Sequence, residues 1–247
     1  DKVLFSARNL SSNQGVKDVS FNVHAGEVFG LGGVIGSGRT EIARAVFGAD
    51  PLTSGSIGVD GKDRRIRNPQ DAIRAGLALV PENRKFDGLF FNFNGGPNIT
   101  AAALDKIKGH FLLKKSTEVS ISLDFINQLE ISPAAARKYV NLLSGGNQQK
   151  IVIARWLFAD SRVLILDEPT QGIDIGAKIA VYNLINALTA RGCAVILISS
   201  DHNELIAMSD RIGIIREGSL IETLPADQVT HSHLVQASAQ VVADDAA

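Results

Sequence analysis

An α/β fold with a mostly parallel sheet covered on both faces is predicted by three observations. Short apolar runs of strand length alternate with stretches of helical spacing. Two of those runs, residues 163–166 and 194–198, are apolar at every position, the pattern of strands buried on both faces. A glycine-rich loop, residues 32–38, joins one such strand to a helix.

Residues 2–8 and 19–23 are rich in strand formers with partial alternation, and residues 27–31 read as a third, more buried strand. After the glycine-rich loop, residues 40–47 carry Ile42, Ala45 and Val46 at helical spacing, and Gly48 is placed to stop that helix. Residues 56–59 read as a strand closed by an Asp60-Gly61 hairpin turn. Asn68-Pro69 opens a short helix to Arg74, with proline at the first helical position, where its missing N–H costs nothing. Residues 77–80 form a further short strand. Composition then shifts after about Phe93. Residues 94–141 show few strand signals and several helix-like stretches, clearest over 116–129 with Val119, Leu123, Ile126 and Leu129 on one face. A helix is predicted over 145–158. Strand signals return at 162–166, 194–198, 211–215 and 220–223. Between the first two, a helix over 175–190 turns Val181, Leu184, Ile185 and Leu188 inward, with Asp174 to cap its start and Gly192 its end. The expected organisation is one domain over 1–237 holding a helical subdomain over about 94–150, then a small acidic tail, 238–247, expected to fray.

The 247 residues suffice for one large domain or two small ones with a substantial core. A net charge of −1 and an aromatic content of 6% argue against nucleic acid, since there is no basic field and few rings for base stacking. Cys193 is alone, so no internal disulfide is available; this fits a reducing cytoplasm, and the residue reads as a strand thiol. No apolar run approaches the ~20 residues needed to cross a bilayer, and no signal-peptide pattern is present.

Three motifs carry chemistry. Gly33-Val34-Ile35-Gly36-Ser37-Gly38-Arg39-Thr40 has P-loop spacing between a strand and a helix, with arginine where lysine is expected. Its glycines let backbone N–H groups turn toward phosphate oxygens, the helix end adds positive potential, and the Thr40 hydroxyl is suited to Mg²⁺. Arg39 keeps the positive charge but spreads it over a wide planar fork. The apolar run 163–166 ends in Asp167-Glu168: Asp167 could hold Mg²⁺ through water, and Glu168 could orient or deprotonate a water attacking a γ-phosphate. Leu143-Ser144-Gly145-Gly146-Asn147-Gln148-Gln149-Lys150 opens a helix with Ser144 at the N-cap, and the N–H groups of Gly145 and Gly146 could face an anion. Each motif alone also has a plain reading: a glycine turn, a solvated acid pair, a simple cap.

The Leu-Ser-Gly-Gly run closely resembles the signature of ABC-type ATPases, and its interval to Asp167 fits that family. Gly36-Ser37-Gly38-Arg39-Thr40-Glu41, Val80-Pro81-Glu82-Asn83-Arg84-Lys85 with Asp87-Gly88-Leu89, and residues 167–174 resemble one class within it. That class is the ATPase subunit of ribose-, galactose- and xylose-type sugar importers, in which one polypeptide carries two ABC halves. The resemblance is to the second half over nearly the full length, which implies an excised C-terminal domain. It implies a P-loop NTPase, RecA-like core with an antiparallel β subdomain and an α-helical subdomain. It also implies head-to-tail pairing with a second ABC half, in the same polypeptide or as a homodimer. ATP and Mg²⁺ are the implied cofactors. ATP would be held by Gly33, Gly36, Ser37, Gly38, Arg39, Thr40 and Glu82, and the metal by Thr40 and Asp167. Glu168 is the implied catalytic carboxylate. Ser144, Gly145 and Gly146 would touch ATP bound mainly by the partner, and Asp174 would approach the opposite nucleotide site. A transmembrane permease subunit and, indirectly, a periplasmic or extracellular sugar-binding protein are the further implied partners. The implied location is peripheral, on the cytoplasmic face of the inner membrane.

Four positions depart from that family's pattern. Arg39 replaces lysine. Glu82 replaces a glutamine that senses Mg²⁺ and the transporter. Ser200 stands at the switch-histidine position, with His202 two residues late and expected to point away. The segment 9–16 lacks an aromatic for stacking adenine; Phe5 is the nearest, and also reads as core. Together they predict a degenerate P-loop site in this chain and a signature loop that completes the partner's site. Alternatives are a non-hydrolysing regulatory nucleotide-binding module and a nucleoside-type importer ATPase. A soluble ABC ATPase of translation or DNA repair is disfavoured by the neutral charge and the lack of a coiled-coil insertion. Trp156 reads as core. His231 and His233 read as a solvated pair or a chelate, and Lys114-Lys115 and Arg64-Arg65 as solvated charges. Phe86, Phe90, Phe91 and Phe93 read either as a docking surface for a membrane-embedded partner helix or as a local core.

Overall fold

Ten strands and eight α-helices form among the described residues, which in this computed structural model are 2–110 and 112–239. From residue 240 on, the predicted tail lies outside them; residues 238 and 239 belong to the last helix. The chain divides into two compact units, residues 1–79, 162–168 and 185–247, and residues 80–161 and 169–184.

The first unit contains two sheets. β1 (Val3–Ser12), β2 (Val19–His24), β4 (Leu52–Val59) and β5 (Lys62–Arg64) form an antiparallel sheet in the order β2-β1-β4-β5. β1 and β4 run further than their apolar pattern predicts. The extra pairing joins Ser11 to Ser54 and Ser12 to Leu52 across register shifts, so the ladder itself extends these polar ends. The Asp60-Gly61 turn has φ of 54° and 71°, the left-handed pair that a tight hairpin requires.

The larger sheet has the order β10-β9-β3-β8-β7-β6, from β3 (Val28–Gly32), β6 (Leu77–Val80), β7 (Val163–Asp167), β8 (Ala194–Ile198), β9 (Arg211–Arg216) and β10 (Ser219–Pro225). β3 runs parallel to β8 and β9, and β7 parallel to β8. Residues of β3, β7 and β8 are buried throughout, as their unbroken apolar runs predict. Leu31 and Asp167 both pair with Ile198, so the carboxyl ends of these three strands are level. α1 (Arg39–Val46), α2 (Pro69–Arg74), α7 (His202–Met208) and α8 (His231–Ala239) also belong to this unit. Asn68 caps α2 by accepting from the Asp71 N–H at 3.0 Å. Phe5 is buried and its ring packs against Phe21, centroids 5.5 Å apart, so it serves the core. Cys193, predicted as a buried strand thiol, instead sits half-buried in the turn before β8, one residue ahead of the strand's apolar run, and burial pushes its thiol pKa up.

The second unit is largely helical: α3 (Gly95–Thr100), α4 (Lys115–Gln128) and α5 (Gly145–Phe158), with α6 (Ile175–Ala190) assigned to it as far as Leu184. Short 3₁₀ turns and one π-type turn, Arg84–Gly88, connect them. Along α4 the inward residues are Ser122, Ile126 and the adjoining Leu129, whereas Val119 and Leu123 are exposed at the edge of a cavity shared with Phe93 and Tyr139. The predicted face is therefore rotated toward Ser122, because the helix packs through its small residue. Arg155 is buried in α5 and donates to Asn98 O at 2.7 Å and Asn98 Oδ1 at 3.1 Å; burial lowers its pKa to about 10. Trp156 is buried as predicted.

Candidate functional site

The carboxyl edge of the larger sheet carries the first cluster. The loop after β3 turns on Gly33, Gly36 and Gly38, whose φ values are 157°, 81° and 106°. Gly33 is required by close approach: a Cβ there would lie 2.5 Å from Ser37 Oγ and 2.6 Å from the Ile215 carbonyl oxygen. Gly38 precedes α1 and offers no side-chain cap, so the first N–H groups of α1 stay available to an anion. Ser37 is buried and its Oγ has no hydrogen-bond partner. A buried hydroxyl without a partner, inside a backbone cradle at a helix start, suits a polyphosphate. Thr40 lies half-buried in the first turn of α1, and Asp167, 2% exposed, ends β7. Their oxygens are the hard donors that Mg²⁺ prefers.

Arg39 does not project freely into this cradle. Its Nη1 donates to the Ser199 carbonyl at 2.8 Å and lies 4.0 Å from Glu168 Oε1. Ser200 Oγ donates to Glu168 Oε2 at 3.1 Å. Glu168 has φ of 48°, left-handed for a residue with a Cβ, and its N–H donates to the Ile198 carbonyl. Three residues read separately in the sequence, Arg39, Glu168 and Ser200, thus converge past the end of β8. The His202 ring lies 4.7 Å from that of His231 and within reach of the Arg39 charge. His233 approaches Glu222 at 3.2 Å, and no cluster of three metal-ligating side chains occurs among the described residues.

Burial, and then the charges of His231 and Arg39, hold the His202 imidazole below the usual histidine value. The unfolded chain therefore binds that proton more readily than the folded one, and stability falls as pH drops from about 7 toward about 5. Denaturant unfolding at those two pH values should show a shallower loss for His202→Asn than for the parent chain. An identical loss would remove His202 as the source.

In the second unit, Ser144 caps α5 and accepts from Asn147 Nδ2 at 2.7 Å, while Asn147 Oδ1 accepts from the Ser132 N–H at 2.7 Å. Gln148 Nε2 donates to the Val140 carbonyl at 3.0 Å. The Ser144-Gly145-Gly146 turn is thus braced from two sides, with Ser144 exposed. Asp174 Oδ1 accepts from the Ala177 N–H at 2.9 Å, the predicted cap of α6. Glu82 is exposed and lines a cavity of about 290 Å³ with Asn83, Arg84, Lys85, Gln171 and Gly172. Phe86 is 85% exposed, Phe90 and Phe93 are each about half exposed, and Phe91 is half-buried, so the four rings do not together build a local core, although Arg155 lies over the Phe90 ring. The sequence marks Arg84 only as part of a motif, whereas its guanidinium donates to the Gln171 carbonyl, a contact no local spacing signals.

A family profile described as ABC transporter matches residues 16–171. The chain is 45% identical over 234 residues to a ribose import ATP-binding protein, RbsA 3, of Rubrobacter xylanophilus, covering 95% of this chain and 47% of that protein. It is 42% identical over 235 residues to the ribose import ATP-binding protein RbsA of Bacillus subtilis, covering 95% and 48%. The chain thus spans about half the length of the curated relatives it matches. Among solved structures it is similar to the dimeric ATP-binding cassette MJ0796 in a post-hydrolysis state with ADP and Pi, at a TM-score of 0.76 and 20% identity, covering 90% of this chain and 99% of that one. The fold is that of an ABC cassette, with the predicted antiparallel sheet and helical region both present. With residues 16–171 matched by this profile, on a chain that carries a glycine-rich loop after β3, an acid pair at the end of β7 and a capped Ser-Gly-Gly helix start, the protein belongs to the ABC transporter family.

Proposed function

We propose that this chain is the second ATP-binding domain of an importer for ribose- or galactose-class sugars, working at the cytoplasmic membrane face against a permease subunit. The observation that carries the reading is the shared level of β3 and β7, which sets the loop 33–40 beside Asp167 and Glu168. The loop N–H groups, Ser37 and Thr40 bind and orient a nucleoside triphosphate. Mg²⁺, when bound by Thr40 and Asp167, supplies charge neutralisation at the phosphate oxygens. Ser144, Gly145 and Gly146 serve the nucleotide of a companion ABC half, and Asp174 approaches that same opposite site. Exposed Phe86, Phe90 and Phe93 suit docking to an apolar permease segment.

The chain's own site is slow. Arg39 spends its charge on the Ser199 carbonyl and on Glu168, and Glu168 is further held by Ser200. Both groups are thereby drawn from the positions that stabilise phosphoryl transfer, where such losses cost orders of magnitude. Calorimetry should detect Mg²⁺-dependent ATP binding by the chain. Single-turnover assays should give a negligible rate that Arg39→Lys raises and that Arg39→Lys with Glu168→Gln abolishes again. Absence of nucleotide binding, alone and with the companion half, would sink the reading. A fast parent rate would sink only the claim about Arg39.

A further inference from the structure

Arg84 begins the π-type turn two residues after Glu82. Its Nη1 donates to the Gln171 carbonyl at 2.9 Å, and its Nη2 to the Gly172 carbonyl at 3.5 Å. The same Nη2 lies against the first residue of α5, where a Cβ on Gly145 would stand 2.8 Å from it. The guanidinium end thus lies directly beside the backbone of Gly145, and the Gly172 carbonyl oxygen and Ile173 Cγ2 each stand 3.2 Å from the same position. Arg84 Nε is buried without a hydrogen-bond partner, and burial pushes the group's pKa down.

This placement runs against ordinary electrostatics. A helix N-terminus carries partial positive charge, and cations are favoured at the opposite end. A partly desolvated guanidinium at that end of α5 costs stability that two carbonyl contacts only partly offset. What the contacts achieve is mechanical. One planar group joins the loop carrying Glu82, the Gln171-Gly172 turn, and the first residue of α5 next to Ser144. Lysine is not equivalent here, because its ammonium is a compact point charge on a flexible stem, whereas the guanidinium fork reaches the two carbonyls from separate nitrogens.

We infer that Arg84 is a positioning residue that fixes Ser144, Gly145 and Gly146 relative to the Gln171-Gly172 turn and the Glu82 loop, so that the signature turn meets the companion half's nucleotide in register. The inference rests on the function proposed above. Its role is exercised through geometry: a displacement of about 1 Å at such a loop can cost ~100-fold in rate.

The test compares Arg84→Gln and Arg84→Lys in the full chain, assayed for ATP turnover with the companion half. Both should lower kcat at least about tenfold with little change in KM, and lysine should not rescue. In the chain alone, hydrogen exchange at amides 144–148 and 171–173 should speed up, while amides 33–40 and the chain's own Mg-ATP affinity stay as in the parent. Parental turnover in both variants, or rescue by lysine, overturns the inference. So does exchange that rises everywhere together with lost Mg-ATP affinity, which would mark a merely structural arginine. Ser144→Arg runs alongside: if it too spares turnover, the signature-loop reading itself fails; if it alone abolishes turnover, only the role of Arg84 fails.

Discussion

Ser144→Arg should lower ATP turnover by this chain and its companion half at least about 100-fold, while Mg-ATP binding at residues 33–40 persists. Ser144 is exposed, caps α5 and is held by Asn147 Nδ2 at 2.7 Å. Its hydroxyl and the following two N–H groups are the small donors proposed to face the companion's phosphate. An arginine fills that space with a long side chain and removes the cap. The cap alone is worth about 1 kcal/mol, too little to unfold the domain, so the loss of turnover reads the site and not the fold. Circular dichroism and calorimetry on the variant, beside steady-state turnover of the pair, separate the two. Parental turnover would end the idea that this loop serves a second nucleotide.

The second large effect is expected at Gly218, in the β9–β10 turn. Its φ is 81°, and an added Cβ would overlap the Gly15 carbonyl oxygen outright. Three contacts tie this residue to its surroundings: its N–H donates to the Ser37 carbonyl at 2.8 Å, its carbonyl accepts from the Lys17 N–H at 2.8 Å, and a Cβ on Gly38 would stand 2.8 Å from its Cα. Gly218→Ala thus combines left-handed strain with overpacking against backbone that cannot rotate away. The expected cost is about 3 kcal/mol or more. In a domain of this size, that lowers Tm by roughly 6–12 °C. Because the strain passes into Ser37 and Gly38, the folded variant should also bind Mg-ATP more weakly. A Tm within 2 °C of the parent (roughly 0.5–1 kcal/mol) would show that the turn yields freely.

The elements of this fold were legible where apolar periodicity and punctuation agree. Pro69–Arg74, Gly145–Phe158, Ile175–Ala190 and Ala194–Ile198 form where caps and apolar spacing place them. Signals failed where polar backbone pairing extends a strand, as at Ser11 and Ser12, and where a small residue faces inward, as at Ser122. The candidate-site loop, strand end and cap were legible because a glycine-rich turn, an acid pair after an apolar run and a serine before a helix are local patterns. The partners of Arg39 and Arg84 were not. Ser199 lies 160 residues from Arg39, and Gln171 lies 87 from Arg84; no local spacing encodes either.

By itself, then, the sequence determined the class of fold and the family, because apolar periodicity, caps, turn residues and motifs are local patterns the chain carries before it folds. Only the tertiary structure decided where the charges go. It turned the Arg39 guanidinium onto Ser199 and Glu168, laid Arg84 beneath Gly145, and pressed Gly218 against the loop it supports. Long, flexible cationic side chains choose among carbonyls and carboxylates brought near by the packing of distant strands, and that choice exists only once the chain has folded.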